Sequence, residues 1–314
     1  MGVSMHWRDL GQRKQPGVWG GLLLDVSACT PPAFTVSVCP PHCLRVAAGD
    51  RAMLWARVER DYWGVDLLRS DSPLSPGIVP PITAAQVREK HAADAARARA
   101  GWARFFAEAL AGSGSSPLAD GQWLLQPSLH GSAAVSIRPD MAALALARPA
   151  LDALDWSDIT LGRPVAPIPL RSPSPAQNGR VNAWARHARA GTLPPVLLMW
   201  VSGLQAHVVL DGHDRLQAAV QQGMDVPVVV LLRHEEGTLD EGALARADAI
   251  AASSAGAEMT VEARNRLLLD LYCPSREVLP SRGDLLRGGM VQWSAEVQAH
   301  ARAQGMDVRI LLEP

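Results

Sequence analysis

The sequence predicts an α/β protein of the α+β kind: a mixed sheet with flanking helices, joined to a β-rich N-terminal region that carries one long helix. Three observations predict it. Short apolar runs separated by proline and glycine turns fill residues 1–80. Apolar positions then recur at helical spacing from Thr83 to about Ala111. Strand-like and helix-like segments alternate between Val181 and Leu232.

In the N-terminal region, Val18–Val26, Phe34–Val38 and Met53–Val58 read as strands. Pro31-Pro32, Pro40-Pro41 and Gly49-Asp50 separate them. A Pro-rich connector, Ser72–Pro81, leads to the long helix. Thr83 and Gln86 have the capping-box spacing at its start, and Gly112 follows its end. Val87, Ala95, Ala98, Trp102, Phe105 and Ala109 share one stripe, with Phe106 and Leu110 at the edge. Gln122–Ile137 holds two further strands, and Met141–Leu154 reads as a helix.

After the Pro-punctuated stretch 164–175, Val181–Ala190 is a short helix stopped by Gly191. Pro195–Trp200 and Ala206–Leu210 pair as strands around Ser202-Gly203. Arg215–Gln222 is a helix closed by Gly223, and Val226–Leu232 is a buried strand. Helices at Leu239–Ala252, Thr260–Tyr272 and Ser294–Gln304 follow, and Val308–Leu312 reads as a final strand. The expected division is 1–150, 160–235, and a helical extension 236–314 ending in a strand.

Composition bounds the function. A chain of 314 residues buries a large core, and 48% hydrophobic with 19% charged residues is a globular balance. A net charge of −1 gives no global attraction to nucleic acid or to an anionic membrane. No apolar run approaches a membrane span, and Met1–Gln15 lacks an export core, so the expected location is cytoplasmic. Cys39-Pro40-Pro41-His42-Cys43 invites a zinc reading with Cys29, but no second Cys-x-x-Cys pair accompanies it. Buried free thiols and a loop histidine are the better reading there.

The most specific stretch is Val208-Val209-Leu210-Asp211-Gly212-His213-Asp214-Arg215-Leu216-Gln217-Ala218-Ala219. An apolar strand ends in a polar turn that opens at once into a helix. Such a turn presents free backbone N–H groups and cationic side chains together, which suits a phosphate. Helix, Gly191, Pro194-Pro195, strand, turn, strand, Asp211-Gly212-His213-Asp214-Arg215, helix and Val226-Pro227-Val228-Val229-Val230 follow in that order. This order resembles the ParB/sulfiredoxin superfamily over residues 160–235, about a quarter of the chain. The resemblance implies a ParB/sulfiredoxin-like mixed sheet that binds a nucleoside di- or triphosphate, with the phosphates over the turn and Mg²⁺ as companion. Activities in that superfamily include nucleotide-gated DNA clamping, phosphoryl transfer to a sulfinic acid and phosphorylation of free serine, so it does not name the reaction. Sulfiredoxins carry a reactive cysteine in this turn, whereas this chain has none between Cys43 and Cys273. The free-serine kinases read Asp-Gly-His-His-Arg and use a glutamate from the entry segment. This chain matches that turn except at Asp214, and residues 168–181 contain no acid.

Each turn residue has a functional and an ordinary reading. Arg215 in the first helical turn grips a phosphate, or else pairs with a carboxylate. His213 donates to a phosphate oxygen or exchanges protons, or else only hydrogen-bonds the loop. Asp211 orients His213, holds Mg²⁺ or acts as catalytic carboxylate, or else caps the helix. Asp214 favours the helix start but repels phosphate. Gly212 permits close backbone approach or positive φ. Trp184 and Trp200 flank the site in sequence and either stack on a base or fill the core.

The leading expectation is nucleotide binding with phosphotransfer to a small-molecule acceptor. A non-enzymatic interaction protein, with a partner held by the N-terminal region, is the alternative. A nucleotide-switched DNA binder or a nuclease is weaker. Residues 235–314 hold thirteen acids against eight arginines, a net of −5, and phosphate neutralisation dominates DNA affinity.

Overall fold

A computed structural model describes residues 4–12, 18–27, 31–59, 64–71, 77–91, 94–156, 165–175, 177–236, 249, 260, 276–278, 281 and 283–312. The chain divides into two compact units, residues 1–232 with 280–314, and residues 233–279. In the second unit, His234, Glu235 and Glu236 pair antiparallel with Val278, Glu277 and Arg276 of strand β14 (Arg276–Val278).

The first unit contains two mixed sheets. Its larger sheet runs β1 (Ser4–Gly11), β2 (Trp19–Ser27), β7 (Gly121–Gln126), β13 (Val226–Glu236, within this unit as far as Leu232), β11 (Val196–Val201), β12 (Ala206–Asp211) and β10 (Ile168–Pro169). Central β11 lies parallel to β13 and antiparallel to β12, and β12 lies parallel to β10. These inner strands are continuous apolar runs, and Val208, Val209, Val228, Val229 and Val230 are fully buried. A strand covered on both faces requires that pattern. The short β8 (Ser136–Ile137) joins the end of β13.

The second sheet has the order β15 (Gly283–Leu285), β3 (Phe34–Cys39), β4 (Cys43–Ala48), β5 (Arg51–Val58), β6 (Gly64–Arg69) and β9 (Leu151–Asp155). Its strands pair antiparallel, except that β15 runs parallel to β3. Residues from both sides of the expected boundary near 150–160 enter one core cluster, among them Leu24, Phe106, Leu125, Leu197 and Val229.

Helix α1 (Ala84–Lys90) begins with the expected capping box between Thr83 and Gln86. The long helix expected from Thr83 to Ala111 is two helices. His91 adopts extended backbone (ψ 121°), and Asp94 accepts from Ala96 N–H to start α2 (Ala95–Gly112). An aspartate that captures a backbone N–H two residues on competes with helix continuation. Phe106 and Leu110, expected at the stripe edge, are fully buried.

The helix expected over Met141–Leu154 is also shorter. Helix α3 (Pro139–Ala147) stops before Pro149, and the chain continues as β9. Arg148 precedes the proline and takes ψ 125°, as the proline ring dictates. Val308–Leu312, expected as a strand, holds helix α7 (Arg309–Leu312), where Asp307 accepts from Arg309 N–H at 3.1 Å. The expected helices at Leu239–Ala252 and Thr260–Tyr272 lie outside the described residues apart from positions 249 and 260.

Helix α4 (Gly179–Arg189) is capped by Asn178, whose side chain accepts from Arg180 and Val181 N–H. Helix α5 (His213–Gln222) ends at Gly223 with φ 61°, the left-handed stop the sequence implies. Helix α6 (Gly289–Gln304) closes the second sheet. Trp293 is fully buried and donates from Nε1 to the Leu44 carbonyl at 2.9 Å. Glu296 accepts from Arg45 Nε at 2.7 Å and Trp55 Nε1 at 3.0 Å. No helix among the described residues is long and apolar enough to cross a membrane.

Candidate functional site

Strand β12 delivers Asp211 to the C-terminal edge of the larger sheet. Gly212 then takes φ 102°, a left-handed value that turns the chain straight into α5. A Cβ at Gly212 would lie 2.7 Å from Arg215 Nη2 and 3.1 Å from its Cζ. Gly212→Ala therefore meets both backbone strain and a guanidinium. It is expected to cost about 1–3 kcal/mol, read as a lowered midpoint in denaturant unfolding.

Around this turn lies a cleft of about 210 Å³. Residues 211–215 line one side, and Leu170 and Arg171 after β10 adjoin them. Arg180 and Trp184 come from α4. Met53 on β5 and Ile78, Val79 and Pro81 of the connector supply the apolar remainder. No side chain caps the start of α5, so its N-terminus contributes backbone N–H groups and the positive end of its dipole.

Arg215 is 2% exposed. Its Nη2 donates to Asp211 Oδ2 at 2.6 Å and to the Pro195 carbonyl at 3.1 Å. The guanidinium lies 5.8 Å over the Trp184 ring. Its Nε is buried and has no hydrogen-bond partner. The bidentate grip on a phosphate expected of Arg215 is thus partly committed to a carboxylate and the backbone.

His213 is buried at the first position of α5, and its Nε2 accepts from Leu170 N–H at 3.1 Å. Burial and the Arg171 charge lower its pKa to about 3, with Arg69 and Arg215 adding to the effect and Asp214 opposing it. The ring is therefore neutral near pH 7, with its proton on Nδ1. As an acceptor from the backbone it positions Leu170, and its Nε2 is not free to take a substrate proton.

Asp214 gathers three side chains. Its Oδ1 accepts from Arg171 Nη2 at 2.6 Å and from Ser174 Oγ at 2.7 Å, and Arg180 Nε lies 3.5 Å from Oδ2. Burial pushes its pKa up, but those donors and cations outweigh it and hold the carboxyl below its ordinary value. The repulsion toward phosphate expected from Asp214 is offset by the two arginines it holds. Gln217 fixes the same loop: its Nε2 donates to Ser174 O at 2.8 Å, and its Oε1 accepts from Ser174 N–H at 2.9 Å.

Arg171, Ser174, Arg180 and Gln217 escaped the sequence reading. The signal for the first and third lay in the entry segment 168–181, which holds two arginines and no acid. Trp184 sits in the cleft wall beneath Arg215, whereas Trp200 packs on His130 and His207 with ring centroids 4.5 and 5.0 Å away. Among the described residues no group of three or more histidine, cysteine or acidic side chains is placed to hold a metal ion. Cys39 and Cys43 are buried free thiols, and burial pushes Cys43 up to about 11, so neither is a ready thiolate ligand. Cys29 lies outside the described residues. No protein-family model, curated protein or solved structure matches this chain.

Proposed function

We propose that the cleft at the start of α5 binds the phosphate of a nucleoside phosphate. The observation that carries this reading is the junction itself. An uncapped helix N-terminus, Gly212 at φ 102° and the cationic side chains of Arg171 and Arg180 converge on one cleft. Backbone N–H groups and guanidinium donors form short, strong hydrogen bonds to phosphate oxygens. The Gly212-His213-Asp214-Arg215 resemblance to the ParB/sulfiredoxin superfamily supports the same ligand class. The test is thermal unfolding with ATP, ADP, CTP, GTP, AMP and CMP, with and without Mg²⁺. The Arg180 side chain is 55% exposed, so Arg180→Ala is expected to keep the fold. It is expected to weaken the ligand by about tenfold and to shrink the thermal shift accordingly. A folded wild-type chain that none of these ligands stabilises would overturn the reading.

Phosphotransfer to a small molecule is the second reading, and Asp211 favours it. Its carboxylate lines the cleft beside the helix start and is 19% exposed. Mg²⁺ or an acceptor hydroxyl would meet it there, while Arg215 holds its Oδ2 in place. His213, neutral and engaged with Leu170, takes a positioning role instead of the catalytic one. Nucleotide consumption that depends on an added acceptor, lost in Asp211→Asn while the thermal shift persists, would support transfer. Consumption unchanged in that variant would remove Asp211 from the mechanism.

A further inference from the structure

The cleft reports on the size and charge of what it binds, if the phosphate reading above holds. Three arginines and two aspartates line it, Arg171, Arg180 and Arg215 against Asp211 and Asp214. His213 adds no charge, so the lining carries a net +1. Both aspartates are already hydrogen-bonded to arginines, Asp211 to Arg215 and Asp214 to Arg171. What remains for an incoming anion is the helix start, the guanidinium of Arg180, and those Arg171 donors not held by Ser172, Ser174 and Asp214. The Nε–H of Arg215, behind the cleft wall, is buried and has no hydrogen-bond partner.

A phosphate monoester carries about −1.5 to −2 at pH 7, and the +1 of the lining with about +0.5 from the helix start offsets most of it. Each further phosphoryl group brings more negative charge to a cleft whose remaining walls are apolar. Met53, Ile78, Val79, Pro81 and Trp184 form those walls and offer little to a second phosphate. Volume agrees. Sites for drug-sized ligands commonly span about 300–1,000 Å³. Among the described residues the cleft offers about 210 Å³.

We propose that the cleft selects a single phosphate on a body of about pentose size, and discriminates against di- and triphosphates. The di- or triphosphate expected from the superfamily resemblance is then the poorer ligand. In a nucleoside monophosphate the phosphate and sugar occupy the cleft, and the base adds little to binding.

The experiment is calorimetric titration of the full chain with ribose 5-phosphate, AMP, CMP, ATP and CTP, the triphosphates with and without Mg²⁺. AMP and CMP are expected to bind at least about tenfold more tightly than ATP and CTP, with ribose 5-phosphate within about threefold of AMP. Arg180→Ala is expected to weaken ribose 5-phosphate by about tenfold. Triphosphates that bind as tightly as monophosphates, or tighter, would overturn the selectivity and leave the phosphate reading standing. AMP binding with ribose 5-phosphate more than about tenfold weaker would overturn the pentose-sized body alone. No binding by any of the five to a folded chain would overturn both.

Discussion

Lowering the pH from 7 to 5 is expected to remove about 4 kcal/mol of folding stability. The cause is a pair of buried neutral imidazoles. His213 accepts from Leu170 N–H, and His207 accepts from His130 N–H at 3.0 Å. Burial, with neighbouring charge, lowers both to about 3. In the unfolded chain each protonates near pH 6.5. Between those values the unfolded state binds more protons, so stability falls as pH falls, and the loss stops growing below about 3. Each histidine accounts for about 2 kcal/mol at pH 5. Urea unfolding at pH 7, 6 and 5 measures the slope. His213→Gln and His207→Gln, which keep an acceptor without a titrating ring, are each expected to reduce it by about half. Equal stability at pH 7 and 5 would show that neither ring is held neutral.

Asp211→Ala is expected to destabilise the chain by about 3–5 kcal/mol. The reason lies in Arg215, which is 2% exposed and holds Asp211 Oδ2 at 2.6 Å. Without Asp211 its guanidinium keeps only the Pro195 carbonyl and the Trp184 face. An unpaired charge is then left in a nearly dry site, which costs far more than an exposed ion pair is worth. Arg215→Met removes the charge together with its need for a partner and retains bulk against Trp184. It is expected to cost less, about 1–2 kcal/mol. Denaturant unfolding of the two variants decides the matter. If Asp211→Ala were the milder change, the pair would not be the buried counter-charge described above.

What was legible in the sequence is what short-range chemistry controls. Thr83 with Gln86, Gly191, Gly212 and Gly223 each punctuate the chain where the local pattern implies, because a cap or a left-handed turn is decided within a few residues. The strands at 196–201 and 206–211 and the helix between 213 and 222 were readable for the same reason. The errors arise where one residue overrides a periodic pattern, as Asp94 and Pro149 do. β1 was missed because its residues are mostly exposed, so the sheet edge leaves little hydrophobic signature. In the site, the positions of Asp211, Gly212, His213, Asp214 and Arg215 were readable, but their pairings were not. Arg171 reaches Asp214 across 43 positions, and the cleft roof comes from residues 53 and 77–81. Neither relation has a trace in local spacing.

The closure of the second sheet sets a timetable for folding. Strand β3 finds its outer neighbour in Gly283–Leu285, and Arg45, Trp55 and Leu44 find theirs in Glu296 and Trp293. The partners lie 241 to 251 positions apart along the chain. On the ribosome, residues 34–58 emerge well before the segment that covers them, and at about 5–20 residues per second that interval is some 12–50 seconds. During it the face later sealed by Trp293, Val297 and Leu311 stays open to solvent and to other chains. The slower the synthesis, the longer that face waits for its cover.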